Sequence, residues 1–255
     1  MKRSHAGAVR PAVGRRIEPF SGFSAQATSF LAQLERCNER RWFEAHREIY
    51  ERELVAPMRD LVGRLASTML SIDPSLDVQP AVGRTLSRIH RDVRFSRDKS
   101  PFHTHVWIVF RRRGEEMRDT PTYFFELGSE RHRCGMGWYA ASPSTMAAFR
   151  RLVEAEGDWV LEQLRAVPRG RFEVFGDVYA RRMGDGLPPT LQDLYRRKNL
   201  FLARGGANDP RALGPELAHT LQQDFEALVP MYGALRCALV RYGEPATPAR
   251  TPSRG

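Results

Sequence analysis

The chain has 255 residues and a formal net charge of +10, and 42% of its residues are hydrophobic and 10% aromatic. This composition supports a packed core, favours anionic partners and excludes a disordered chain. No apolar run approaches the roughly 18 residues that span a bilayer, and the basic amino terminus lacks the apolar stretch of a secretory signal, so we expect no membrane segment.

Residues 1–18 and 243–255 lack periodicity, which predicts two flexible tails around a single domain at 19–242. Three helices are predicted to open this domain. Ser24 is placed to cap the first, Asn38 to cap the second, and Pro57 to lie in the first turn of the third. Apolar residues at helical spacing predict the inward faces. They are Phe30, Leu31 and Leu34 in the first helix, Trp42, Phe43, Ile49 and Tyr50 in the second, and Leu61, Leu65 and Leu70 in the third.

From about residue 84 the apolar residues recur every second position, which predicts strands. The first strand is expected at 88–95, with Ile89, Val93 and Phe95 on its apolar side, followed by a turn from Ser96 to Pro101. Further strands are expected at 106–110, 122–127 and 134–141. Four consecutive strands with short connections predict an antiparallel meander.

After the strands, Ser142-Pro143 predicts the start of a helix that runs to about Glu156. Residues 172–183 are compatible with a β-ribbon. Helices are predicted at 191–195 and from 215 to 240, the latter interrupted at Pro230. The fold class is therefore α+β: N-terminal helices, then a mainly antiparallel sheet with flanking C-terminal helices.

The densest charge cluster is RIHRDVRFSRDKSPF at 88–102. On a strand, alternate residues would project to one face, and the turn would add Arg97, Asp98 and Lys99. Carboxylates among arginines stay ionised and orient the guanidinium groups, so this surface is suited to phosphate or carboxylate. The residues predicted to bind such a small anion are Arg88, Arg91, Arg94, Ser96 and Lys99.

Two roles beyond binding are compatible with this motif. If the protein is an enzyme, Asp92 or Asp98 is the candidate base and Lys99 the candidate electrostatic stabiliser. Alternatively, the motif is an ion-pair network that only holds a strand against a turn. The sequence does not decide between an enzyme, a binding protein and a structural protein.

The segment RDVRFSRDKSPF resembles the signature R-D-x-R-F-S-x-D-K-x-P-[YF] of domain of unknown function 2461, an uncharacterised family of bacterial and fungal proteins. FSGFSAQATSFLAQLERCNERRWFEAHREIYE is similar to that family's opening segment, and weaker similarity continues to about residue 230. The resemblance implies no established activity. Phe102-His103 replaces the family's Tyr-Lys, and Glu39 replaces an Asn, so a mechanism that needs that hydroxyl or that ammonium does not transfer.

Nucleic-acid binding is the second functional hypothesis. Basic segments at 84–97, 111–113, 131–133 and 196–197 lie near aromatic residues in the sequence. Only three of the 40 cationic residues are lysines, however, and such a bias more often reflects genome base composition than a nucleic-acid partner. No helix-turn-helix or zinc finger is recognisable.

Other ligands and partners are less favoured by the sequence. A metal site is not expected, although four residues offer an alternative set of ligands: His103, His105, His132 and Cys134. No phosphate-binding loop or dinucleotide fingerprint is present, so no cofactor is expected. Three cysteines without a CxxC motif fit a reducing compartment, which predicts a cytoplasmic location. The oligomeric state cannot be inferred from the sequence.

Overall fold

The computed structural model describes residues 20–243, so the predicted tails lie outside the described residues except for Gly243. It confirms the α+β class, because helices precede a five-stranded antiparallel sheet and further helices follow it. The helices are α1 (Ala25–Arg36), α2 (Arg40–Ala45), α3 (Arg47–Tyr50), α4 (Ala56–Ile72), α5 (Pro143–Ala166), α6 (Pro189–Tyr195), α7 (Leu217–Ala227) and α8 (Val229–Tyr242). The strands are β1 (Val106–Phe110), β2 (Thr122–Leu127), β3 (Arg131–Trp138), β4 (Glu173–Phe175) and β5 (Leu200–Ala207).

The first helix begins as predicted. The Ser24 hydroxyl accepts hydrogen bonds from the amides of Gln26 and Ala27 at 3.1 and 3.3 Å, which gives partners to two amides that have none inside the helix. The predicted inward residues of α1 are buried. A π-helical turn at Glu51–Val55 joins α3 to α4, and Leu61 and Leu65 of α4 are buried as predicted. Leu70 is 37% exposed and Met69 is buried in its place, so the inward prediction for Leu70 is wrong.

The predicted cap at Asn38 is also wrong. Glu39 occupies the cap position of α2 and makes no side-chain hydrogen bond there. Instead, the Asn38 amide donates to the backbone carbonyl of Phe102 and accepts from its N–H, both at 3.0 Å. An amide side chain carries one donor group and one acceptor, so it satisfies both backbone groups of this buried residue at once.

The sheet has the order β1-β2-β3-β5-β4, and every neighbouring pair is antiparallel. The strands predicted at 106–110 and 122–127 are confirmed at those positions, and the third begins earlier, at Arg131. The sequence did not predict β5, whose second half is RGGA. It takes the fourth place in the sheet by pairing with β3 along its whole length, whereas β4 pairs only with residues 201–203.

The strand predicted at 88–95 is wrong. Only residues 89–91 run antiparallel to 101–103, through bonds from the Arg91 amide to the Pro101 carbonyl (2.9 Å) and from the His103 amide to the Ile89 carbonyl (2.8 Å). Beyond Arg91 the chain forms a loop that returns at Pro101. Phe95, predicted to face inward, is therefore 95% exposed, because no layer lies against that part of the chain.

Side chains alternate between the two faces of the sheet. One face, the core face, carries Ile108, Tyr123, Phe125, Met136 and Trp138 and packs on helices that include α4, α5, α7 and α8. The opposite face, the open face, carries a separate small apolar cluster of Phe124, Phe201, Ala203 and Val109.

Two glycines shape the middle of the open face. A Cβ at Gly135 or Gly137 would lie 2.2 or 2.3 Å from a carbonyl oxygen of β5, so no side chain fits at either position. Phe124 of β2 and Phe201 of β5 flank β3, and their ring centroids approach to 6.1 Å. The rings contact each other because the intervening strand has no side chains there.

The C-terminal helices follow the prediction with two changes. The Ser142 hydroxyl accepts from the Thr145 amide at 3.2 Å, which confirms the start of α5. Its predicted end at Glu156 is a kink (φ −137°, ψ 38°), after which the helix continues to Ala166 and buries a second apolar stretch. The helix predicted across 215–240 divides into α7 and α8 at Leu228, shortly before Pro230. No helix within residues 20–243 is long and apolar enough to cross a membrane.

Asp73, at the end of α4, connects three parts of the fold. Its carboxylate accepts hydrogen bonds from Tyr232 of α8 (2.7 Å), Arg112 after β1 (2.6 Å) and the Ser75 amide (2.9 Å). Burial alone would raise the pKa of Asp73, but these three donors lower it overall, Tyr232 first among them. A carboxylate that is easier to ionise in the folded chain stabilises the fold above the pKa of the unfolded chain.

We expect Asp73→Asn to lower the free energy of unfolding at pH 7 by about 1–3 kcal/mol, because bonds to a charged acceptor are replaced by weaker ones. Since the folded pKa lies below the unfolded one, the native contribution is complete above roughly pH 4 and is lost as the pH falls further. Urea denaturation at several pH values measures the free energy of unfolding of both proteins. The difference between the native and variant values should become smaller toward pH 3. Asp60→Asn on the exposed side of α4 is the matched control, and a difference independent of pH would contradict the prediction.

Candidate functional site

The predicted motif forms a loop at residues 91–101, here called the motif loop, which is held by its own side chains. Arg91 is only 22% exposed and donates to Asp98 (2.5 Å), to the Ser100 carbonyl (3.1 Å) and, at 3.5 Å, to Ser96. Lys99 donates to the Val93 carbonyl at 3.0 Å. These bonds cross the loop, so they favour the network interpretation for Arg91, Ser96, Asp98 and Lys99.

The remaining charges of the motif loop point to solvent. Among residues 20–243, Arg94 forms an ion pair only with its neighbour Asp92, with a shortest distance of 2.6 Å, and both side chains are more than half exposed. Arg97 is exposed and has no ion pair or hydrogen bond within residues 20–243. Between the two arginines stands Phe95, with the Arg94 guanidinium 5.8 Å from the ring centroid.

The two carboxylates of the motif loop are strongly acidic. Hydrogen bonds from the Arg94 side chain and amide lower the pKa of Asp92 to about 2. Hydrogen bonds from the Ser100 hydroxyl and amide, and then from Arg91, lower the pKa of Asp98 to about 2. A general base acts best with a pKa near the working pH, so this geometry does not favour proton abstraction by either residue near neutral pH.

The motif loop is anchored at its base to the N-terminal helices. Phe102 is buried and stacks on Phe43 of α2, with ring centroids 4.3 Å apart and planes at 22°. His90 lies against Phe102 at 5.0 Å, and Asn38 binds the Phe102 backbone. The base of the motif loop is therefore held against the N-terminal helices.

A cavity of about 450 Å³, here called the motif cavity, lies on the open face beside the start of the motif. Its apolar walls include Trp107, Val109, Met117, Phe124 and Tyr139. One side is formed by the segment 83–88, which pairs with the edge of β1 through bonds such as that from the Val109 amide to the Thr85 carbonyl (2.8 Å).

Of the residues predicted to bind an anion, only Arg88 lines this cavity. Its guanidinium lies over Gly83, where a Cβ would be 3.0 Å from Nε, and has no ion pair or hydrogen bond within the described part of the chain. The three other arginines of the lining are already engaged: Arg84 binds Asp77 at 2.8 Å, Arg111 donates to the Glu115 carbonyl at 2.9 Å, and Arg133 binds Glu126. Arg88 is thus the cation of this cavity best placed to meet a ligand.

His103 also lines the motif cavity. Its ring lies edge-on to Trp107, with centroids 5.1 Å apart. Burial lowers the pKa of His103, and the nearby His105 and Arg91 lower it further, so the imidazole is neutral at pH 7.

A second cavity, of about 610 Å³, lies at the other end of the sheet and is here called the edge cavity. Its lining includes the turn between β2 and β3, the open-face side of β3, and Gly170 and Arg171 before β4. Glu126 and Arg133 line both cavities, so their ion pair separates one from the other.

Behind the edge cavity a buried carboxylate orients two arginines. Asp224 of α7 is fully buried. Its Oδ1 accepts from Arg171 at 2.8 Å and its Oδ2 from Arg204 at 2.6 Å, in each case from Nε and Nη2. The Cys134 thiol donates to the same Oδ2 at 3.4 Å, and burial raises the pKa of that thiol strongly. Each guanidinium binds Asp224 through one edge, which directs its other edge away from the carboxylate.

The alternative metal ligands do not come together. His103 and His105 lie toward the open face, with His105 facing Glu126 at 3.6 Å. His132 binds Asn208 at 3.1 Å, and Cys134 binds Asp224 beneath the sheet. Within residues 20–243 no group of three or more His, Cys, Asp or Glu side chains is arranged to hold a metal ion. The alternation of strand residues places the two pairs on opposite faces.

Most of the residues that line the two cavities were not predicted from the sequence. The signal for the open face was present in VWIVF and TYFFEL, where Trp107, Val109 and Phe124 occupy alternate positions. It was obscured because the intervening residues are apolar as well, which is typical of a strand buried on both sides. The Asp224 cluster had no local signal, because Arg171, Arg204 and Asp224 are far apart in the chain.

The fold and the two cavities define an α+β protein with one helix-covered and one open sheet face. The family of conserved hypothetical proteins that carry domain of unknown function 2461 matches residues 26–233. The chain belongs to this family. No curated protein matches it significantly.

The bonds of Arg91 predict the effect of its removal. Arg91→Ala deletes the side chain that donates to Asp98, Ser96 and the Ser100 carbonyl, so the motif loop should open more often. We expect chymotrypsin to cleave after the exposed Phe95 about tenfold faster or more, which corresponds to the loss of one or two hydrogen bonds. Mass spectrometry of the digest measures the rate. Arg36→Ala on α1 is the control, and unchanged cleavage in Arg91→Ala would show that this network does not hold the loop.

Proposed function

We propose that this protein binds a small organic anion in the motif cavity, with an apolar or aromatic body against Trp107 and its anionic group on Arg88. The observation that carries the proposal is the guanidinium of Arg88, which lies beside the apolar walls of this cavity and has no ion pair or hydrogen bond within residues 20–243. An unpaired cation beside apolar walls favours a ligand that supplies both a charge and an apolar surface.

The apolar walls support the body of such a ligand. Trp107 and Phe124 come from neighbouring strands of the open face, and Met117 and Tyr139 are 45% and 54% exposed beside them. A volume of about 450 Å³ is within the range of small-molecule sites. Aromatic side chains bind flat groups by stacking or edge-to-face contact.

The polar groups support the charge and its orientation. Arg88 provides a planar set of donors that matches a phosphate or carboxylate. His103 is neutral at pH 7 because burial lowers its pKa, so one ring nitrogen donates while the other accepts. Arg133 lies 5.9 Å from the Phe124 ring centroid and 5.6 Å from that of Tyr139, and Glu126 keeps it in place.

Nucleic acid is the less favoured partner because many of the predicted basic residues are engaged within the protein. Arg113 donates to the carbonyls of Leu76 and Pro74 at 2.8 and 2.9 Å, and Arg197 donates to that of Gly176 at 2.9 Å. Guanidinium groups that cap backbone carbonyls are less available to phosphates. We also infer a cytoplasmic location, which the free thiols of all three cysteines support.

The proposal is tested with phenyl phosphate, benzoate and inorganic phosphate. We expect phenyl phosphate to bind by calorimetry and to quench tryptophan fluorescence, inorganic phosphate to bind at least about tenfold more weakly, and Trp107→Phe to remove most of the quenching. Arg88→Ala should weaken binding about tenfold or more while the melting temperature stays within a few degrees, because this arginine has no partner to lose among the described residues. Arg97→Ala is the matched control, because Arg97 lines neither cavity and has no ion pair within the part of the chain that the structure describes.

Two results would contradict the proposal. One is equal binding of phenyl phosphate by the native chain and by Arg88→Ala. The other is binding of a single-stranded oligonucleotide that persists at 150 mM salt and weakens in Arg88→Ala, which would favour the nucleic-acid hypothesis. That comparison requires a chain trimmed of residues 1–18 and 243–255, so that the arginines in those segments do not contribute to binding of the oligonucleotide.

A further inference from the structure

One edge of β5 extends beyond its neighbour. β3 pairs with all of residues 200–207, whereas β4 pairs only with residues 201–203. Within residues 20–243, the segment 204–207 therefore has a strand on one side only, and Gly205 and Ala207 are exposed. An unpaired strand edge is a template to which an extended peptide adds as a further strand.

The edge cavity lies where such an added strand would end. A peptide that runs antiparallel to β5 along residues 204–207 has the same direction as β4. Its carboxyl terminus then lies toward Glu173, the first residue of β4, and close to Arg171 and Arg204. Both arginines line the edge cavity and are held by the buried Asp224.

The charges around the cavity complement a peptide end. Two guanidinium groups share one carboxylate, so the Asp224 cluster keeps a net charge of about +1, and Asp224 prevents the arginines from adopting other orientations. Three further carboxylates in the lining have no ion pair within the described residues: Glu35, Glu130 and Glu173. A ligand that carries a carboxylate and a nearby cation can form ion pairs with the two arginines and with these glutamates at the same time.

We propose that the edge cavity binds the carboxyl-terminal end of a partner peptide, which adds as a short strand to residues 204–207 of β5. The terminal carboxylate binds Arg171 and Arg204, and a Lys or Arg side chain of the peptide faces the three glutamates. This site is separate from the motif cavity, and the inference does not depend on the small-anion proposal.

The test compares two forms of one peptide. N-acetyl-Val-Arg-Val-Val is titrated into the full chain by calorimetry, once as the free acid and once as the carboxyl-terminal amide. We expect the acid to bind at least about tenfold more tightly, because only the acid carries the charge that Arg171 and Arg204 bind. In Arg171→Gln the affinity for the acid should fall most of the way to that for the amide, while the affinity for the amide should change little. If Arg171 had only a structural role, the substitution would leave the ratio of the affinities for acid and amide unchanged.

Two further variants keep the test decisive if Arg171→Gln is unstable. Ser129→Trp places a large side chain in the lining and leaves the Asp224 cluster intact, so we expect it to weaken binding of the acid. Arg88→Ala should leave peptide binding unchanged even though we expect it to weaken binding of phenyl phosphate. Any of three results would overturn the inference. They are equal affinity for the acid and the amide, equal affinity for the acid and inorganic phosphate, and loss of peptide binding in Arg88→Ala.

Discussion

The burial of one face of the sheet against the helices is the constraint on which the rest of the structure depends. Because strand side chains alternate, the choice of core face determines which residues remain on the open face. Tyr123, Phe125 and Trp138 are committed to the core, so Trp107, Phe124 and Arg133 must lie on the other side. A register shift of one residue in β2 would bring Phe124 and Glu126 to the core face in place of Tyr123 and Phe125, and each cavity would lose lining residues.

Arginine has a structural role throughout this protein. Arg150 donates to the carbonyls of Tyr195 and Arg197, and Arg151 donates to that of Tyr242. A guanidinium group has several donors in one plane, so a single side chain binds one or two backbone carbonyls of a segment that is distant in the chain. The high net charge of the sequence is for this reason a poor guide to the partners of the protein. Arg88 differs from this pattern because it has no such bond among the described residues.

The sequence predicted the parts of the fold that depend on local signals. Ser24, Ser142-Pro143 and the apolar runs of β1 and β2 determine their elements through bonds or burial within a few residues. It failed where distant segments decide the outcome. Asn38 has the side chain of a good cap, yet its donor and acceptor bind Phe102, which is 64 residues away. The motif alternates like a strand, but no neighbouring strand extends far enough to pair with it.

The same difference explains what could be said of the candidate site. The charges of the motif loop were evident in the sequence, but their pairing was not, and it engages Arg91, Asp98 and Lys99 within the loop. The ion pair of Glu126 and Arg133 lines both cavities. A ligand that displaced this pair from one side would change the wall of the other cavity, and binding at the two cavities would then be energetically linked. Thermodynamic linkage requires that coupling to be reciprocal: whatever factor one ligand imposes on the affinity of the second, the second imposes on the first.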